Sequence, residues 1–210
     1  MIIRRIELDF FRNFLHLEAS FSPGVNIICG ENAQGKTNLL EAIAYLSSAS
    51  SHRARYDKEL IALGIDHAFI KGEIEGGGRV STLEAALHRG SRRQFTRNGV
   101  RLKTAGELSG VFNTVLFCPE DLSLIREGAY FRRRFLDDCI CQLRPRYAAA
   151  LAEYKRLYEH KTRILRDSEE KPELLELLPE FNEGLLAVPG TKLTQRRVHE
   201  PPPLRRTCRA

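Results

Sequence analysis

Apolar and polar positions alternate from the first residues of the chain. Ile2, Arg4, Ile6, Leu8 and Phe10 are set against Ile3, Arg5, Glu7 and Asp9, the period-two pattern of a half-buried strand. Leu15, Leu17, Ala19 and Phe21 continue the alternation, with Arg12 and Asn13 in the turn between the two strands. Pro23-Gly24 predicts a second turn, and residues 25–29 read as a short apolar strand buried on both faces. The period then changes. Leu39, Leu40, Ile43, Ala44 and Leu46 share one face of a helix running from about Lys36 to Ser48.

Further on, residues 69–74, 80–87, 93–97 and 100–102 read as antiparallel strands. Asn98-Gly99 joins the last two, a dipeptide that accepts positive φ at both centres of a tight hairpin turn. Residues 111–117 form another apolar run, read as a strand that ends at Pro119. Helical spacing returns between about Tyr130 and Asp167, in Phe131, Phe135, Leu136, Ile140, Leu143, Tyr147, Leu151, Tyr154 and Leu157, with a notch at Pro145. Beyond Asp167, Pro172, Pro179, Pro189 and the triplet Pro201-Pro202-Pro203 argue against a continuous helix. The expected organisation is a nucleotide-binding lobe at 1–127 that includes an antiparallel β region at 68–117, an incomplete helical arm at 128–186, and a disordered Pro/Arg-rich tail at 187–210.

The composition is globular, with 42% hydrophobic residues in a chain of 210. The net charge of +6 is misleading: residues 187–210 hold six basic side chains against one acid, a net +5, which leaves the rest of the chain at +1. Basicity therefore says nothing about nucleic-acid binding by the folded part. The five cysteines are odd in number and irregularly spaced, as expected of reduced cytosolic thiols. Cys29 and Cys118 lie within the apolar runs and are expected to be buried, while Cys139 and Cys141, one residue apart, read as packing residues and not as metal ligands. No apolar run approaches the ~18 residues of a membrane span, so a soluble cytoplasmic protein is expected.

Between the apolar run at 25–29 and the first helix stands Gly30-Glu31-Asn32-Ala33-Gln34-Gly35-Lys36-Thr37, a full match to G-x-x-x-x-G-K-[ST]. The chemistry explains the spacing. Glycines let the backbone curl close to a phosphate, and successive N–H groups and a helix N-terminus supply partial positive charge. Lys36 can reach the outer phosphate oxygens, and the Thr37 hydroxyl can ligate Mg²⁺. ATP with Mg²⁺ is the expected cofactor. Hydrolysis also needs a carboxylate at the end of an apolar strand. Glu120-Asp121 is the partial candidate for that Walker B element, but Pro119 interrupts the run before the acids; the alternative is a helix start with both acids beside the N-terminal dipole.

Four blocks in order resemble the RecF family of bacterial DNA replication and repair proteins, in the SMC/Rad50-like branch of ABC ATPases. They are Phe11-Arg12-Asn13-Phe14, the loop with its continuation Asn38-Leu39-Leu40-Glu41-Ala42, Val115-Leu116-Phe117-Cys118-Pro119-Glu120-Asp121-Leu122, and Arg132-Arg133-Arg134-Phe135-Leu136-Asp137. The resemblance covers about residues 1–167 and implies an α/β, P-loop ABC-type ATPase head lobe with an antiparallel β subdomain and a helical arm. It implies that residues 30–37 bind ATP and Mg²⁺, and that Arg12 approaches the nucleotide, with a surface ion pair as the alternative role for that side chain. It also implies binding to single-stranded or gapped DNA, recombinase loading and SOS induction with RecO and RecR, and ATP-dependent self-association. The family's ABC signature, Walker B and D-loop are not recognisable, so ATP binding is expected while hydrolysis is not predicted. A truncated or frame-disrupted product is the expectation for the C-terminal part, with sheet edges left uncovered and a chain prone to associate.

Two other classes compete with an ATP-dependent repair protein: a non-hydrolysing nucleotide-binding remnant, and a small-molecule P-loop kinase, against which the antiparallel segment and the arm argue. For DNA, the candidate phosphate contacts are Arg89, Arg92, Arg93, Arg97 and Arg101 around the hairpin. On the arm they are Arg132, Arg133, Arg134, Arg144, Arg146, Lys155, Arg156, Lys161, Arg163 and Arg166. A solvated face balanced by Glu107, Asp137, Asp138, Glu153 and Glu159 is the alternative reading of the same residues.

Overall fold

The computed structural model describes residues 1–108, 110–118, 121 and 128–187. Pro119, Glu120 and Leu122 lie outside the described residues, as does the expected tail from residue 188. The chain divides into two units, Met1–Pro145 and Arg146–Ala210.

The first unit is built on one antiparallel sheet of six strands: β1 (Ile2–Phe11), β2 (Phe14–Ser20), β3 (His67–Gly76), β4 (Arg79–His88), β5 (Gln94–Arg97) and β6 (Val100–Arg101). Their spatial order is β2-β1-β3-β4-β5-β6. β1 pairs with both β2 and β3, so the N-terminal hairpin and the middle segment share one sheet. Asn98 and Gly99 take φ of 51° and 77° at the β5–β6 turn, the positive values expected from the dipeptide.

Helix α1 (Lys36–Ser48) covers one face of this sheet. Leu39, Ala42, Tyr45 and Leu46 pack against Ile6, Leu8, Ile70, Ile74, Leu83, Ala85, Leu87 and Phe95. Each such aliphatic side chain contributes about 1.5–3 kcal/mol by leaving water. Gly72 sets the spacing of the two layers, because a Cβ there would lie 2.6 Å from Leu46 Cδ1. Helix α2 (Ala129–Leu143) belongs to the same unit: Arg134 Nη2 donates to Ser51 O (3.2 Å), and Gln142 Oε1 accepts from Thr114 N (2.8 Å).

In the second unit the described residues are helical. Helix α3 (Pro145–Asp167) begins at the expected proline notch, and after a 3₁₀ turn at Pro172–Leu177 helix α4 (Leu178–Ala187) packs back on it. His160 and Phe181 stack with ring centroids 5.8 Å apart, and Lys161 Nζ donates to Asn182 Oδ1 (2.6 Å).

Two expected strands are absent. Residues 25–29 join no ladder; Val25 and Ile27 are 87% and 84% exposed, and Cys29 is exposed where burial was expected. Residues 111–117 form no strand either: Val115 and Phe117 are 100% and 83% exposed, while Phe112 and Cys118 are buried. The reason is physical. An apolar run records what a strand could bury, but strand structure also needs a partner for its N–H and C=O groups. All described strands pair among themselves, and neither run meets an edge.

Because Phe117 covers no surface within the described structure, Phe117→Ser is expected to change unfolding free energy by less than ~0.5 kcal/mol, whereas Leu8→Ala costs about 2–5 kcal/mol. Urea denaturation of the two variants checks this; a costly Phe117→Ser would place that side chain in a core.

Candidate phosphate-binding site

Residues 30–37 wrap the N-terminus of α1. Gly30 and Gly35 adopt φ of 151° and 100°, conformations that curl the backbone and that glycine reaches without penalty, and Ala33 adopts the left-handed φ of 65° between them. Gly35 is the N-cap; no side chain caps the helix and no acid occupies its first turn. The first-turn N–H donors of a helix have no intrahelical partner, so an uncapped end is a built anion site. Lys36 Nζ closes the loop by donating to Gly30 O (2.7 Å) and Glu31 O (2.6 Å), which holds its charge across the mouth. Glu31, Asn32, Ala33, Gln34 and Thr37 are exposed, so the Thr37 hydroxyl is open to a metal-bound phosphate. The expected residues are therefore assembled in one loop, and the donor set fits a nucleotide triphosphate with Mg²⁺.

Gly35 is buried beneath the β1–β2 turn. A Cβ at Gly35 would meet Phe14 Cζ at 2.5 Å and Asn13 Oδ1 at 2.8 Å, so the turn rests on the loop with only hydrogen between them. Asn13 Oδ1 also accepts from Asn38 Nδ2 (2.8 Å), joining the turn to the first turn of α1. Arg12, at φ 55°, donates from Nε to Glu41 Oε2 (3.0 Å), from Nη2 to Glu41 Oε1 (2.8 Å) and from Nη1 to Glu59 O (2.9 Å).

Glu41 was not among the candidate site residues, yet it is the most constrained ionisable group near the loop. Its side chain is fully buried in α1, and besides Arg12 it accepts from Ser51 Oγ (2.5 Å) with Arg53 Nη1 3.7 Å away. Burial pushes the Glu41 carboxyl up, but hydrogen bonds from Arg12 and Ser51 and the charges of Arg12 and Arg53 outweigh it, so the group is held below the usual carboxylate range. No local pattern marked Glu41, because it lies off the apolar face of Leu39, Ile43 and Leu46 that the helical spacing defines.

The other candidates are dispersed. Asp121 Oδ2 accepts from Cys118 N (2.7 Å) and Asp121 N donates to Cys118 O (2.9 Å), so this acid closes a local turn. Arg93 Nη1 is ion-paired with Asp57 (3.0 Å) and within 3.3 Å of Tyr45 Oη, and Arg89 Nε donates to Ile65 O (2.7 Å). On α3, Arg156 pairs with Glu153 (2.7 Å) and Arg166 with Asp167 (3.0 Å). Among the described residues no cluster of His, Cys, Asp and Glu is arranged to hold a metal, and no helix is long and apolar enough to cross a membrane.

An uncapped helix behind a G-x-x-x-x-G-K-T loop, packed on an antiparallel sheet with a helical extension, defines a P-loop ATPase head lobe. The profile of the AAA domain family matches residues 5–185, and the chain belongs to that family. Within it, the chain is similar to the DNA replication and repair protein RecF. Identity is 39% to RecF of Agathobacter rectalis over 94% of this chain and 54% of that protein, and 40% to RecF of Clostridium acetobutylicum over 80% and 46%. The recombination mediator RecF of the RecFOR pathway, solved with ATP, superposes with a TM-score of 0.83 at 34% identity, over 94% of this chain and 53% of that one. An SMC ATPase shares the fold at 23% identity, with a TM-score of 0.52 over 65% of this chain and 98% of that one. The chain spans about half the length of the RecF proteins it matches.

The depressed Glu41 pKa fixes a pH dependence. The stability it contributes is fully present above its unfolded pKa of about 4.3 and is lost as pH falls through the lower folded value. Glu41→Gln should lower stability at pH 7 and flatten the acid limb of a urea-midpoint profile between pH 3 and 7. Acid limbs of equal steepness would contradict this.

Proposed function

We propose that this chain is the ATP-binding part of a RecF-type DNA replication and repair protein. The observation that carries the reading is the uncapped, curled loop at residues 30–37, with Lys36 across its mouth and no competing acid in the first helical turn. In this reading the backbone amides at the start of α1 hold the phosphates, and Lys36 exchanges the Gly30 and Glu31 carbonyls for phosphate oxygens. The Thr37 hydroxyl holds Mg²⁺. ATP, when bound, supplies a phosphoanhydride whose hydrolysis can drive a change of state. That RecF proteins 32% and 34% identical have been solved with ATPγS and ATP supports the reading.

The same likeness supports a cytoplasmic protein that binds single-stranded or gapped DNA and self-associates with ATP. It would act with RecO and RecR in recombinase loading and SOS induction. A second reading, nucleotide binding without turnover, is favoured by the exposed apolar side chains Val25, Ile27, Val115 and Phe117, which lie in runs without strand partners among the described residues.

Lys36→Ala should weaken Mg-ATP binding by at least ~100-fold, since a charge-assisted phosphate contact and its desolvated site are lost together. Titration of a fluorescent ATP analogue, paired with turnover assays with and without DNA, reads this. DNA-stimulated hydrolysis abolished by Lys36→Ala supports the first reading, binding without turnover supports the second, and unchanged affinity in Lys36→Ala contradicts both. DNA affinity should fall with salt at a log–log slope of about −0.7 per phosphate neutralised on single strands. Retention that does not depend on salt would contradict phosphate-driven binding.

A further inference from the structure

The β1–β2 turn is built more elaborately than a hairpin needs. Arg12 occupies left-handed backbone space at φ 55°, and Phe10 does so at 53°, positions that cost a side-chain-bearing residue about 1–3 kcal/mol each. Such strain persists only where surrounding contacts over-determine it. Here they do: Arg12 N donates to Leu60 O (2.7 Å), Ala62 N donates to Phe10 O (2.8 Å), and Phe11 bridges Ile61. The guanidinium spends its donors on both oxygens of Glu41 and on Glu59 O.

Glu41 ties the same turn to the segment after α1. Ser51 Oγ donates to it, while Ser51 Oγ accepts from Arg53 N (2.9 Å) and Ala54 N (2.8 Å); Arg53 Nη1 donates to Asn38 Oδ1 (3.1 Å), whose amide nitrogen holds Asn13. The chain of contacts is closed. It runs Arg12, Glu41, Ser51, Arg53, Asn38, Asn13 and back to Arg12 through the backbone, and Asn13 and Phe14 form the roof over Gly35.

We propose that Arg12 and Glu41 are positioning residues for the phosphate-binding loop: the ion pair of partly exposed Arg12 with buried Glu41 presses the β1–β2 turn onto Gly35 and so holds the loop in its curled form before any nucleotide arrives. Arg12 acts through Glu41, without touching the ligand. The inference rests on the nucleotide-binding reading of the loop for its effect on affinity, but not for its effect on loop order.

Arg12→Lys keeps one charge and loses the planar fork that spans Glu41 and Glu59 O, and Glu41→Gln keeps the shape and one acceptor; both are chosen because truncation to Ala leaves a buried charge alone and risks unfolding. A milder third variant, Ser51→Ala, removes one strut. Two readouts are measured on the full chain: amide hydrogen exchange of residues 30–37 without nucleotide, and affinity for Mg-ATPγS. Both single variants should speed exchange across 30–37 by about tenfold, with β3 and β4 unchanged, and should weaken affinity by about tenfold, the scale typical of groups that orient a binding residue from behind. The double variant should be no weaker than the worse single, since residues acting through one contact are not additive.

Loop exchange at the wild-type rate in both single variants would overturn the proposal. So would an affinity loss confined to Arg12→Lys, or losses in Arg12→Lys and Glu41→Gln that add in the double variant, the patterns of direct nucleotide contact. If the wild-type chain bound no Mg-ATPγS, the nucleotide reading would fall, and the exchange readout would still decide the positioning role. If the variants lost structure globally, Ser51→Ala would decide by the same exchange criterion.

Discussion

A carboxylate with no access to water sets the terms for the rest of this structure. Glu41 is a fully buried residue of α1, at a place where an unpaired charge costs several kcal/mol. It is tolerated because Arg12 meets both of its oxygens and Ser51 adds a third bond. Glu41 belongs to a helix, and its partners come from a hairpin turn, Arg12, and from the segment leaving that helix, Ser51 and Arg53. Satisfying one charge therefore fixes three elements against one another, and the curled loop at residues 30–37 lies beside that junction.

The remaining features follow from that junction. Gly72 lets α1 approach the sheet, the apolar face of α1 seals the contact, and the helix N-terminus is left bare at the edge of the lobe. The loop inherits its shape from both sides, from the helix it starts and from the turn above Gly35. Two arginines that read as possible nucleic-acid contacts also make contacts within the lobe: Arg93 links Tyr45 to Asp57, and the exposed Arg89 donates to the carbonyls of Ile65 and Ala62. A count of basic residues cannot separate such struts from a binding face.

Much of the fold was legible from local pattern. The β1–β2 alternation, the Asn98-Gly99 turn, the span of α1 and the notch at Pro145 each depend on neighbours close in sequence, and each is found as expected. The curled loop at residues 30–37 was legible for the same reason, its residues being contiguous. What was not legible depends on distant partners. The runs at 25–29 and 111–117 carry the composition of strands without the ladders, so Val25 and Val115 stand in solvent. Glu41 looked like one more helix-forming residue, because its partners Arg12 and Ser51 are 29 and 10 residues away.

The proposal for residues 30–37 is a phosphate cradle already shaped in the free chain. Titrating the ¹⁵N-labelled protein with Mg-ATP and following backbone amide resonances tests it most directly. Saturable shifts are expected at Gly35, Lys36 and Thr37, with β3 and β4 unmoved. Shifts that never saturate, or that fall elsewhere while these three amides stay still, would contradict it.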